Sequence, residues 1–257
     1  MIDLALISGS GFYDFPGLEE GKDLKIKTSY GVASVRTGII SRKKIAFIAR
    51  HGENHSLLSN MINYRANAIA LKELETSTIL STTVCGVLNP SLPLAKPVVF
   101  ADLFFPENRL PTGELCTIYD KKGASQRGHF IFEKPFSGSL IKQLENSSQD
   151  PLIGFTYAHV NGPRFNSKPE IQMLRNYASF VSQTAGPEIV LAGELEIPVA
   201  LIGFGVDYAN GVSKVPTPPH ILAENLKKSK SVFISMIKEM LGNFVEPKFD
   251  GFLYRFE

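Results

Sequence analysis

The stretch from Asn161 to Asn210, NGPRFNSKPEIQMLRNYASFVSQTAGPEIVLAGELEIPVALIGFGVDYAN, decides the fold. Gly162 and Pro163 break the chain, and Lys168 to Tyr177 carries apolar residues at helical spacing. A short strand follows, and then a helix opening at Gly186 or Pro187, where the missing proline N–H is no loss. Ile197 to Val206 is a near-continuous apolar run, as expected of a strand covered on both faces of an α/β sheet. In open sheets of that kind ligands gather beyond the carboxyl ends of the strands, so Asp207 falls where chemistry is done.

Upstream, Leu4 to Ser8 reads as a short apolar strand ending in Gly9-Ser10-Gly11. Glycines let backbone N–H groups approach an anion and Ser10 adds a hydroxyl, although the same residues also make an ordinary tight turn. The run lacks the lysine of a Walker loop and the third glycine of a dinucleotide fingerprint. Lys44 to Ala49 is a second strand, ending in Arg50-His51-Gly52-Glu53-Asn54-His55. An arginine there offers a bidentate contact to phosphate with His51 beside it, or else a surface ion pair. Asn63 to Leu74 is an amphipathic helix whose Asn63 and Asn67 tie down neighbouring loops. Ser77 to Cys85 and Lys96 to Phe105 are further strands.

Taken together, GPRF at Gly162 to Phe165, the pattern Thr-x-x-Pro-Glu-x-x-x-Ala from Thr184, and Asp207-Tyr208 after an apolar strand resemble the trimeric purine nucleoside phosphorylase and methylthioadenosine phosphorylase family. RHG at Arg50 to Gly52, NYRAN at Asn63 to Asn67 and Gly9-Ser10-Gly11 fall in the same order as in that family. The resemblance covers roughly residues 2 to 240. It implies that Ser10, Arg50, His51, Thr83, Val84 and Thr184 bind phosphate, the strand end at Thr83 and Val84 also framing the ribose. It implies that Phe165 stacks on the purine, an aromatic face offering area and offset stacking geometry. Asp207 holds N7 and the exocyclic group, and serves as the acid if burial raises its pKa. Glu188 organises the fold.

Several positions depart from the family pattern. Asn166 stands where oxopurine enzymes have Glu and methylthioadenosine enzymes Ser, and an amide can serve either base. Gln183 replaces a methionine that lies against the ribose: it either bonds the ribose hydroxyls or marks a rebuilt sugar side. Ala209 replaces a second aspartate of the methylthioadenosine enzymes, and Ala101-Asp102-Leu103 departs from the usual Asp-Gln segment. By resemblance, His129 reaches the neighbouring subunit's site. His220, opening a helix from about His220 to Leu241, matches the histidine that binds a 5′-hydroxyl in oxopurine enzymes, where methylthio-accepting enzymes carry an aliphatic residue; the alternative is a histidine exposed at a helix start. The tail at about 243–257 carries Phe249, Phe252, Tyr254 and Phe256, which suggests docking onto the body or a partner subunit.

Composition sets the outer limits. The 257 residues, 44% of them hydrophobic, suffice for one large α/β core. A net charge of +2 with scattered lysines and arginines gives no basic stripe for nucleic acid. No apolar run reaches the roughly 18 to 20 residues that span a bilayer, and the strand-like MIDLALI is unlike a signal sequence, so a cytoplasmic location is expected. Cys85 and Cys116, the two cysteines, read as buried hydrophobes rather than metal ligands. The expectation is therefore a single α/β domain over 1–257 with a mixed central β-sheet flanked by helices. By resemblance it is a homotrimer or a dimer of trimers that needs phosphate as co-substrate and no cofactor or metal. The reaction is phosphorolysis of adenosine or 5′-methylthioadenosine, with inosine and guanosine open, to free base and the ribose 1-phosphate. The rivals are a nucleosidase using water and a non-catalytic nucleoside-binding paralogue.

Overall fold

The computed structural model describes residues 1–255; Phe256 of the aromatic tail lies outside the described residues. Apolar β-branched runs make the central strands. They are β1 (Leu4–Ser8), β4 (Lys43–Ala49), β5 (Ile79–Val87) and β10 (Val199–Tyr208), all parallel to one another through β1 and β5. The first eight residues of β10 are buried, as its uninterrupted apolar sequence requires.

Around this group the sheet is mixed. The hairpin β2 (Glu19–Thr28) and β3 (Gly31–Ile40) extends one edge beyond β4. Its charged outer strand, EEGKDLKIKT, guards an edge that would otherwise invite pairing. On the other side, β6 (Pro97–Phe104) runs antiparallel to β10, and β8 (Leu152–His159) is parallel to β6. The short β9 (Phe180–Ser182) bridges β8 to β5. Because β10 pairs with both β5 and β6, these five strands close on themselves, and β1, β4, β3 and β2 continue from β5 as an open sheet.

Helices cover the two faces. Buried side chains of α1 (Tyr64–Glu73) and α4 (Gly186–Glu194), among them Ala70, Leu71, Ile189 and Leu191, share one apolar cluster. Those of α2 (Gly138–Glu145) and α5 (Pro219–Gly242), such as Leu140, Phe233 and Met236, share another. Asn63 caps α1 by accepting from the Ala66 N–H, and its Nδ2 donates to the Tyr30 carbonyl at 2.6 Å, which ties down the β2–β3 turn as expected. α3 (Lys168–Leu174) opens with a capping box between Ser167 and Glu170 and stops three residues short of the expected Tyr177. Within 126–136, β7 (Gly128–Ile131) pairs with β11 (Phe252–Arg255) of the tail, so the tail docks on its own chain's body.

Candidate active site

The carboxyl ends of β1, β4, β5 and β10 and the loops after β8 and β9 surround a cavity of about 680 Å³. That volume suits a small organic ligand. Nine of the expected residues line it: Ser10, His51, Thr83, Val84, Phe165, Asn166, Gln183, Thr184 and Asp207.

One end is built for an anion. Ser10 follows Gly9 off β1, and the Thr83 hydroxyl lies 3.4 Å from that of Thr184 and 3.2 Å from that of Ser182. Thr184 immediately precedes Ala185, the N-cap of α4, so the positive end of that helix adds to the field there. Two buried donors, the Tyr157 hydroxyl and His159 Nδ1 at 2.8 Å, meet on the Thr184 carbonyl and hold this turn. Ala185 sits there at φ 64°, a left-handed backbone that a non-glycine residue adopts only under such constraint. His51 Nδ1–H donates to the Leu57 carbonyl at 2.9 Å, which leaves Nε2 as the atom with a free lone pair. Burial, and then the neighbouring Arg50 charge, lower the His51 pKa to about 4, so the ring is neutral at neutral pH.

Arg50 corrects the sequence expectation. It is buried and absent from the cavity wall. Nε and Nη2 hold Glu188 at 2.6 and 2.8 Å, Nη1 donates to the Thr82 carbonyl at 2.6 Å, and Nη2 reaches the Ile7 carbonyl at 3.3 Å. With its fork spent on a carboxylate and two strand carbonyls, no bidentate face is left for phosphate. Burial opposes its charge, but Glu188 more than compensates and raises the pKa further. Gly9 allows this placement, because a β-carbon there would lie 2.8 Å from Nη1. Glu188, which also accepts from Ser81 at 2.8 Å, thus has the organising role expected of it.

At the other end, the ring of Phe165 is 82% exposed, an open platform over the cavity mouth. Asn210 Nδ2 donates to the Asn166 carbonyl at 2.8 Å and steadies that loop. Asp207 follows a register shift in β10 after Gly205, and such a bulge re-aims the side chains beyond it. Burial alone raises its carboxyl pKa to about 6. Gln183 lies between the two ends, next to Thr184 in the chain.

His220 is a second correction. It is exposed at the start of α5 and outside the cavity wall, whereas Leu222 and Leu226, one helical turn apart, line it. Two residues along a helix turn the side chain by about 200°, so a helix presenting 222 and 226 inward turns 220 outward. What α5 presents to the cavity is therefore aliphatic, not the imidazole expected there. His129 stands on β7 at a second cavity of about 670 Å³ with Phe130, Phe132 and Glu194. Among the described residues no group of three or more His, Cys, Asp or Glu could hold a metal ion, and no helix is long and apolar enough to cross a membrane.

Sequence reasoning passed over His55 and Ser59, both on the cavity wall. The His55 ring stacks on His51 at 4.2 Å and 12°, and Tyr13 Oη is hydrogen-bonded to its Nδ1 at 2.9 Å. The signal was the Gly-Glu-Asn run between the two histidines: Gly52 at φ 68° and Asn54 at φ 52° turn the chain back on itself. Ser59 carried no such signal.

Hydroxyls beside a helix N-terminus, facing an exposed aromatic ring and a half-buried carboxyl across one cavity, can accommodate a compound with a phosphate-sized and a heteroaromatic part. The chain belongs to the Phosphorylase superfamily, whose model matches residues 3–241. It is 36% identical over 222 residues to a probable 6-oxopurine nucleoside phosphorylase of Thermococcus kodakarensis, covering 82% of this chain and 80% of the relative. It is 31% identical over 250 residues to the S-methyl-5′-thioadenosine phosphorylase of Saccharolobus solfataricus, covering 92% and 89%. A methylthioadenosine phosphorylase from an antarctic soil metagenomic library superposes with a TM-score of 0.82 at 26% identity over 94% of this chain and 86% of that one. The Schistosoma mansoni methylthioadenosine phosphorylase, solved with tubercidin, shares the fold with a TM-score of 0.80 at 24% identity, covering 95% and 92%.

Proposed function

We infer that this chain catalyses phosphorolysis of purine nucleosides, releasing the free base and forming a ribose 1-phosphate. The observation that carries this reading is the Asp207 carboxyl, with its pKa near 6, across one cavity from the hydroxyls of Ser10, Thr83 and Thr184. Breaking an N-glycosidic bond makes the sugar cationic and the purine anionic, so help is needed at both ends. Phosphate held by Ser10, Thr83, Thr184 and the Val84 backbone N–H lies against the sugar, stabilises the cation and forms the new C–O bond at its anomeric carbon. Neutral His51 accepts a phosphate O–H through Nε2. The electron pair of the broken C–N bond goes to the purine, and Asp207 supplies the proton at N7. Burial holds the Asp207 carboxyl above the usual carboxylate range, at about 6, and a purine stacked under Phe165 removes more water and favours the protonated form further.

The relatives' names divide between oxopurine and methylthioadenosine enzymes, and two features favour the second group. Asp207 can accept from a 6-amino group, and Leu222 with Leu226 gives an apolar wall suited to a 5′-methylthio substituent. Adenosine and 5′-methylthioadenosine are thus the preferred substrates, with phosphate as co-substrate and no cofactor. The exposed Leu115 and Phe132 around the second cavity support a contact surface between copies of the chain, and the family likeness makes that assembly a homotrimer, or a dimer of trimers, in the cytoplasm, with His129 reaching a neighbour's site. Purine release from adenosine, methylthioadenosine, inosine and guanosine, with and without phosphate, tests the reading. Phosphate-independent release would favour a nucleosidase, and tight binding without turnover a non-catalytic paralogue.

A further inference from the structure

Asn225 is a polar residue, 7% exposed, on the inner face of α5. It lies between Leu222 and Leu226, which pack against the apolar cluster that holds Phe204 and Val206. A buried amide needs a partner, and Asn225 Nδ2 donates to the Val206 carbonyl at 2.8 Å. Val206 is the residue that the register between β10 and β5 skips: Gly205 pairs with Cys85, and Asp207 with the next residue, Gly86. A bulge takes its extra residue out of the ladder, and here a side chain from α5 takes up the carbonyl. Among the described residues no hydrogen bond or ion pair holds the carboxyl of Asp207, one position further on, and burial alone raises its pKa. The aim of that carboxyl is left to the backbone that carries it.

We propose that Asn225, which is not on the cavity wall, is a positioning residue for Asp207: by holding the Val206 carbonyl it fixes the bulge that turns the carboxyl into the cavity. The inference rests on the reading of Asp207 as the acid of the reaction. Leu222, Asn225 and Leu226 share one face of α5, so the same bond ties the apolar wall to the strand that bears the carboxyl. Removing the donor leaves the Val206 carbonyl buried and unpaired, which favours a relaxed strand end in which that oxygen reaches water. Asp207 moves with it into less buried surroundings, and its pKa falls toward the ordinary carboxylate range. Cys85 on β5 feels the Asp207 charge, but burial pushes its thiol pKa well up, so it stays uncharged through the titration.

Asn225→Leu keeps the side-chain bulk and removes the donor; Asn225→Ser, whose hydroxyl falls short of the carbonyl, is a second variant with the same expectation. Ser229→Ala is the control, since that buried hydroxyl, one turn along the same face, bonds to the Leu226 carbonyl of its own helix. Carbon-13 NMR of the carboxyl groups in ligand-free protein reads Asp207 without turnover, with Asp207→Asn identifying its signal. The midpoint should lie near 6 in wild type and in Ser229→Ala, and about one unit lower in either Asn225 variant. In adenosine phosphorolysis Asn225→Leu should lower kcat/KM about tenfold with the phosphate KM within twofold. In protein already carrying Asp207→Asn it should cost less than twofold, because a residue that acts through another then has nothing to act on. An unchanged midpoint in variants that thermal unfolding shows to be folded, or losses that multiply in the double variant, would overturn the proposal. A lowered midpoint in a protein that never consumes phosphate would keep the tether and refute phosphorolysis. Phosphorolysis with an unchanged midpoint would do the reverse.

Discussion

Replacing Glu188 by Gln removes one charge from the Arg50 pair while preserving shape. Both side chains are buried, at 0% and 4% exposure. The guanidinium keeps its charge at any accessible pH and would be left without a counter-ion, held by the Thr82 and Ile7 carbonyls and one neutral amide oxygen, with the amide NH₂ turned against it. Breaking a buried pair by removing one partner costs about 3 to 5 kcal/mol. For a chain of this length that corresponds to a fall in Tm of about 6 to 9 °C. The double replacement Arg50→Met with Glu188→Leu removes both charges and should recover most of the loss. Thermal unfolding of the variants, with the phosphate KM measured on the same preparations below the transition, separates the structural role from the binding one. A Glu188→Gln protein within about 1 °C of wild type whose phosphate KM rises tenfold would refute the reasoning and return Arg50 to the phosphate site.

Asp207→Asn should lower kcat/KM for adenine nucleosides by about 2 to 4 kcal/mol while sparing or improving inosine and guanosine, since acid catalysis and the amino-group contact are both lost; a wild type that cleaves only oxopurines would sink this assignment. In wild type, kcat/KM should fall as pH rises above about 6, because the acid form of Asp207 is lost there, and the limb should vanish in Asp207→Asn at matched phosphate, which cancels the titration of phosphate itself. His220→Val should leave kcat/KM for methylthioadenosine within twofold, whereas Leu222→Gln should lower it about tenfold by putting a polar amide on the apolar wall; equal effects would contradict the outward placement of residue 220.

The strands around the cavity were legible because their apolar runs are short and bounded by turn residues, and the place of Asp207 at a strand end was legible because it follows the longest of them. The hydroxyls of Ser10 and Thr184 followed from the resemblance, which gave Thr83 with Val84 only as a backbone donor, and the cavity gathers all four residues. Arg50 was misread because a sequence shows a strand-end arginine but not that a glutamate 138 residues later fills its fork. His220 was misread because the proline-rich loop before α5 hides the helix phase, so a match by position fell on the outward face. The contacts that hold the Gln183 amide, from the Ser59 hydroxyl and to the Arg164 carbonyl, are not marked by residue type.

The most direct test of phosphate as nucleophile is to follow phosphorus by NMR while the wild-type enzyme acts on methylthioadenosine. The account predicts one equivalent of inorganic phosphate lost and one sugar 1-phosphate formed per adenine released, with no release when phosphate is omitted. Adenine released at the same rate without phosphate, with the inorganic phosphate signal unchanged, would contradict it.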